Sequence, residues 1–321
     1  MKKFRLFFVW LALGLACQPV TEQPSAPVFQ HVLTTSSKPW NSEVFQKNSP
    51  LTFAIISDLT GGEREGIFQE AVTRINLLYP AFVLSVGDLI DGGTEDLTVL
   101  REQFDFFDQR ADRLEAPFFH LGGNHDLTNP VMRTYWEGRY GARYYHFVYD
   151  QVLFLMMDSE DYEEDRMLEI YQARAEAIAI LDGYQEGRYE DTEYYHMKER
   201  STGAMSQAQL DYFKSIIASH PEVTWTFLLM HKPVWMKEDS EFAQLEAVLT
   251  PGKYTVINGH FHSYSHRTLN QSDYIMLGTT GGSQRPGDSM AFDHFVYVTM
   301  KDTGPSFANL KLEGIVDKRG Q

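Results

Sequence analysis

Five short polar clusters each follow directly on an apolar run: Ser57-Asp58-Leu59-Thr60, Gly87-Asp88-Leu89-Ile90-Asp91, Gly123-Asn124-His125-Asp126, Met230-His231-Lys232-Pro233 and Gly259-His260-Phe261-His262. Asp, Asn and His offer hard oxygen donors mixed with imidazole nitrogens, a set suited to Mn, Fe or Zn. Thiolates are missing from it. The single cysteine, Cys17, lies far upstream, which excludes a cysteine-built zinc site and an internal disulfide framework. Any one cluster is weak, since an Asp after a strand is often a helix cap and a buried His is usually a satisfied core residue. Gly-Asn-His-Asp is rarer, and His260 and His262, two apart, share one side of an extended segment.

Asp58 and His262 are 204 positions apart, so the clusters can meet only if a fold gathers them. An α/β sheet does so, because the carboxyl ends of its strands form one ligand-binding edge. The apolar patterning predicts strands over 52–57, 81–86, 117–121, 224–230, 253–257, 274–277, 295–300 and 308–315. A hairpin over 144–149 and 152–157 would turn at Asp150-Gln151. Helical spacing predicts helices over 65–78, 96–114 and 206–219, and another near 242–249. Ser206 and Gln209 have the spacing of a capping box for the third of these. Each of the five clusters then falls directly after a strand.

In order and spacing the clusters resemble the calcineurin-like metallophosphoesterase superfamily, whose motifs run D-x-H, G-D-x-x-D, G-N-H-[DE], a lone His and G-H-x-H. The resemblance covers roughly residues 51–300 and implies a four-layer α/β/β/α sandwich of mixed sheets. It also implies a two-metal site that hydrolyses phosphate mono- or diesters. Carried over by position, Asp88 would bridge both metals; Asp58 and His262 would hold one, and Asn124, His231 and His260 the other. His125 would donate a proton to the leaving oxygen or stabilise the charged transition state, with Asp91 orienting it. One departure from the pattern matters, and two further positions separate the chain from particular branches. Thr60 stands where the first motif has His, leaving the Asp58 metal short of a protein donor. Asp91 stands where purple acid phosphatases carry Tyr. Gly92 stands where some phosphoprotein phosphatases place a basic residue, so a phosphate-binding cation must come from elsewhere, Arg285 being one candidate.

The 28 Lys and Arg against 44 Asp and Glu give a net charge of −16, which disfavours a generic nucleic-acid-binding surface. At the N-terminus Lys2, Lys3 and Arg5 precede an apolar run over 6–16 and then Cys17, the pattern of a secretory signal. The cysteine at the cleavage point resembles a bacterial lipoprotein box. Residues 1–17 are therefore expected to be a signal, and Pro-, Ser-, Thr- and Gln-rich residues 18–50 a tether. The remainder, 51–321, would be the phosphoesterase domain, periplasmic or anchored by lipid to the outer membrane. Within it, residues 158–200 carry 14 acids against 5 bases and six tyrosines. They read as a solvated helical insertion, or alternatively as a lid or a cation-attracting surface. Missing His at position 60 keeps a second function open: a catalytically impaired binding or sensor protein on the same fold.

Overall fold

The computed structural model describes residues 29–237 and 240–312. Its first strand, β1 (Phe29–Gln30), is an edge addition; β2 (Thr52–Ile56) begins the body proper. On β2 alternate side chains serve different layers: Phe53 and Ile55 enter the core between two sheets, Ala54 and Ile56 the core under a helical layer. The chain continues through α1 (Ile67–Leu78), β3 (Val83–Ser85), α2 (Leu97–Ala111), β4 (Phe118–Phe119) and α3 (Pro130–Tyr140). A hairpin of β5 (Tyr145–Tyr149) and β6 (Val152–Met156) turns at Asp150-Gln151, both with positive φ, as foreseen. After α4 (Glu164–Leu181), α5 (Glu193–His196) and α6 (Glu199–Thr202) come α7 (Gln207–Ser219), β7 (Trp225–Met230), α8 (Glu241–Glu246) and β8 (Tyr254–Asn258). Strands β9 (Ser265–Leu269), β10 (Ser272–Met276), β11 (His294–Lys301) and β12 (Gly304–Lys311) close the described chain.

One sheet has the order β1-β5-β6-β7-β8-β10-β9, the other β12-β11-β2-β3-β4. Both are mixed: β2-β3-β4 and β6-β7-β8-β10 run parallel, with antiparallel strands at the flanks. The sheets pack face to face on an aromatic ladder. Phe119 and Phe147 centroids lie 4.3 Å apart, Phe147 and Phe154 4.6 Å, and Phe154 and Phe227 5.3 Å. Each such ring contributes about 1.5–3 kcal/mol by burial, which makes the sandwich a stiff platform for the loops at its rim. Helices α1–α3 cover the outer face of the five-stranded sheet, and α7 and α8 that of the seven-stranded one. The expected α/β/β/α layering is therefore present.

Several local expectations are corrected. Residues 29–50 do not behave as a tether: β1 pairs with β5, and Trp40, 6% exposed, packs on Phe119 and Tyr145. A polar average had hidden Phe29, Trp40 and Phe45, which cover apolar surface at the end of the sandwich. Residues 18–28, the leader and Cys17 lie outside the described residues. Helix α3 was not foreseen, although its start is a capped one: Asn129 Oδ1 accepts from the Met132 N–H 2.9 Å away, and Pro130 follows. Ser206 does cap α7, but Gln209 does not reach back to it. The Gln209 amide instead holds both the N–H and the C=O of Asp158, at 3.0 and 2.9 Å, and Asp161 accepts from the Ser206 N–H.

The segment 158–200 is a folded unit rather than a solvated excursion. Ile170, Ala173 and Ala177 form one stripe of α4 and pack against Tyr194 and Met197. Its root is fixed by buried ion pairs: Arg143 with Asp158, and Lys232 with Glu160 at 2.9 Å. Part of the acidity foreseen as a solvated face thus neutralises cations of the main body.

Candidate metal centre

Loops at the carboxyl ends of β2, β3, β4, β7 and β8 bring all five clusters to one rim. Two groups of donor atoms result, Asp88-His231-His260 and Asp58-Asp88-His262, with the atoms in each group within 4.8 Å of one another. Asp88 belongs to both. In the first group His231 Nε2 lies 3.1 Å from Asp88 Oδ2, 3.1 Å from Asn124 Oδ1 and 3.3 Å from His260 Nδ1. Those are the edge lengths of a polyhedron around an ion with bonds of about 2.1 Å. In the second, His262 Nε2 lies 3.3 Å from Asp58 Oδ1.

Each of these imidazoles uses its other nitrogen on a main-chain carbonyl. His231 Nδ1–H donates to Val86 at 2.9 Å, His262 Nδ1–H to Ser283 at 2.6 Å, and His260 Nε2–H to Arg200 at 2.7 Å. A carbonyl only accepts, so each bond fixes the tautomer and turns a lone pair toward the centre. This outer support is characteristic of metal-ligating histidine.

The backbone is bent to achieve this convergence. Asp58, Asp88, His260 and His262 all have positive φ, at 39°, 58°, 79° and 56°, a region costly for residues with a Cβ. His260 and His262 therefore do not share one side of an extended segment, as their spacing implied. A left-handed residue at each sends them to different groups. Gly123 and Gly259 are needed for the approach of the carboxylates, because a Cβ there would overlap Asp88 Oδ1 and Asp58 Oδ2 respectively.

Asp58 and Asp88 are buried, 0% and 2% exposed. Burial alone would raise the Asp88 carboxyl, but His231 and His125 hold it well below its usual range. Burial works against charge on His231, yet Asp88 pushes it up to about 9. His262 is likewise raised by Asp58 despite its burial. The two buried carboxylates thus draw positive charge to the imidazoles facing them, and the same donor set fits divalent cations that would take the place of those protons.

His125 stands beside this centre, its N–H donating to Asp88 Oδ1 at 2.9 Å. Its Nδ1–H donates to the main-chain O of Asp91 at 2.8 Å, so Nε2 presents a lone pair, which the Arg174 Nη2 approaches to 3.3 Å. The Asp91 carboxylate, expected to orient His125, instead accepts from the Thr60 hydroxyl. Thr60 is buried and so engaged; it braces Asp91 rather than adding a donor to the Asp58 group. Sequence reading gave Asp126 no role, though it ends the Gly-Asn-His-Asp cluster. Its buried carboxylate accepts from Gly123 and Asp88 at 2.8 Å, Leu89 at 3.0 Å and Ile90 at 3.2 Å, splicing two site loops together. Arg64 was also missed: it holds the Gly282 carbonyl at 2.7 Å and Asp293 at 2.7 Å, clamping the loop that supports His262. Arg285 is exposed in its turn and hydrogen-bonds to none of the clusters among the described residues.

The family model for calcineurin-like phosphoesterases matches residues 51–264. The chain belongs to that family. Among solved structures it is similar to a dimetal phosphatase from Danio rerio (14% identity, TM-score 0.56, 82% of this chain and 99% of that one). It is also similar to PhoD (10%, TM-score 0.52, 90% and 74%) and to GAP50, the anchor in the inner membrane complex of Plasmodium (13%, TM-score 0.50, 84% and 86%). At such identities these likenesses establish the fold. No curated protein matches the chain by sequence.

Proposed function

We propose that the protein is a metal-dependent hydrolase of phosphate mono- or diesters, exported to the bacterial cell envelope. The observation that carries the reading is the shared Asp88 between two donor groups whose three imidazoles are all aimed by main-chain carbonyls. Asp88, Asn124, His231 and His260 would hold one divalent ion, and Asp58, Asp88 and His262 the other. Mn, Fe and Zn all suit these donors. When bound, such a pair acts as a Lewis acid toward phosphoryl oxygens and lowers the pKa of water to supply the nucleophile. His125 keeps one proton on Nδ1 through the Asp91 carbonyl, so Nε2 is the atom that would take up a second proton and, from the imidazolium, hand it to the departing oxygen. Asp126 keeps the His125 and Asp88 loops in register while that transfer occurs.

The envelope location, with Cys17 as a lipid attachment point, rests on residues 1–17 alone. Cys17→Ser should release the protein from the membrane fraction or block its processing; unchanged processing and anchoring would rule out lipidation. A binding or sensor role is favoured by one observation, the engagement of Thr60 with Asp91, which leaves the Asp58 group with three side-chain donors. Bound metal measured beside turnover of a chromogenic monoester and its matching diester, with added Mn, separates the two. Hydrolysis supports the enzyme, and two bound metals without hydrolysis support the binding protein.

A further inference from the structure

Helix α4 of the acidic segment carries one residue out of character with its stripe. Arg174 follows Ala173 on the face that packs inward and is 9% exposed. Its Nη2 lies 3.3 Å from His125 Nε2, and Gly93 is small enough to let Nη1 approach, since a Cβ there would sit 3.0 Å from it. No carboxylate lies within ion-pair distance of this guanidinium among the described residues, although the surrounding segment holds 14 acids. Arg166, one of its helix neighbours, is paired with Glu169 and Glu199 in the ordinary way.

A buried cation without a counter-charge is costly unless an anion completes it. Here it faces the outward nitrogen of His125, at the edge of a centre built to hold phosphoryl oxygens. From this geometry we infer that Arg174 is the substrate-binding cation of the site, supplied by the inserted segment and closing on non-bridging oxygens of a phosphate monoester. The inference rests on the phosphoesterase reading and deepens it. Its planar fork can grip two oxygens at once. On engaging them the guanidinium leaves His125 Nε2, which then becomes available to the departing oxygen. A monoester carries close to two negative charges at neutral pH, a diester one, so an extra buried cation favours the monoester. The same segment aims His260 through the Arg200 carbonyl, 2.7 Å away, which ties its placement to the metal centre itself.

The test uses the full chain, loaded with Mn, and follows inorganic phosphate binding by calorimetry beside hydrolysis of an aryl phosphate and a bis-aryl phosphate. Arg174→Gln should weaken phosphate binding about 10–100-fold, the range for a lost charge-assisted hydrogen bond. It should raise KM for the monoester more than for the diester, with metal content and melting temperature retained. Arg174→Lys should recover part of the affinity, because it keeps the charge and loses the fork. Wild-type hydrolysis together with phosphate binding unchanged within about twofold in Arg174→Gln would overturn the role of Arg174 and leave the enzyme intact. Wild-type protein that binds phosphate through Arg174 without hydrolysing any ester would uphold the clamp and sink the enzymatic reading. Absence of phosphate binding by the Mn-loaded wild type would overturn the clamp.

Discussion

The two halves of the centre share Asp88 but are built unequally. Around His231 four side-chain donors converge, with edges of 3.1–3.3 Å, and both His231 and Asn124 are nearly closed to solvent. Around His262 there are three donors, and that imidazole is 14% exposed. The difference traces to one position: Thr60, where a histidine would complete the second half, turns its hydroxyl to Asp91. Ligand number governs affinity, so the His231 half should hold its ion more tightly.

Asp88→Asn should have the largest effect, because it strikes both halves. Turnover and metal content should fall more than about 100-fold, beyond the 10–100-fold typical of losing an outer-shell partner; a variant that still retained two metals would show that Asp88 is not shared. Next come His231→Ala and His262→Ala, compared by mass-spectrometric metal analysis after chelator dialysis. The first should remove the tight ion, the second only the weaker one. Equal losses would erase the asymmetry. Thr60→Val is a smaller probe: it should leave metal content unchanged and lower stability by about 0.5–1.5 kcal/mol, the net worth of one hydrogen bond whose acceptor, the exposed Asp91 carboxylate, water can reach. A drop in metal content instead would make Thr60 a ligand.

The smallest effect lies away from the centre. Burial holds His294 down to about 4; its Nε2 accepts from the Gly278 N–H at 2.9 Å. Because the folded value is depressed, the unfolded chain binds the extra proton between about pH 6.5 and 4. Stability is therefore full above that window and declines as pH falls through it. The slope from this residue is at most about 1.4 kcal/mol per pH unit. Urea unfolding at pH 6.5 and 5 should show a shallower decline in His294→Gln, and identical declines would exclude the contribution.

What could be read in the sequence divides along physical lines. The loops after β2, β3, β4, β7 and β8 are short and follow strands with clear apolar patterning, so residue type and order were enough to gather Asp58, Asp88, Asn124, His231, His260 and His262. Backbone conformation was not legible: nothing in Gly-His-Phe-His announces two left-handed histidines, or that Asp91 would serve His125 through its carbonyl. The acidic segment was the least legible. Its counter-charges, Arg143 and Lys232, lie outside it in sequence, and Arg174 looks like any helical arginine until α4 is placed over His125. Residues 29–50 failed similarly, since composition averages away three aromatic rings that need only a surface to cover.

A two-ion centre of unequal halves should fill in two steps. Mn titrated into chelator-stripped protein, with bound metal and aryl phosphate hydrolysis followed together, tests it most directly. The first equivalent should bind tightly with little turnover, and activity should rise as a second, weaker equivalent fills the half around Asp58 and His262. Turnover already complete without added metal, or two tightly held equivalents that hydrolyse neither a monoester nor a diester, would contradict it.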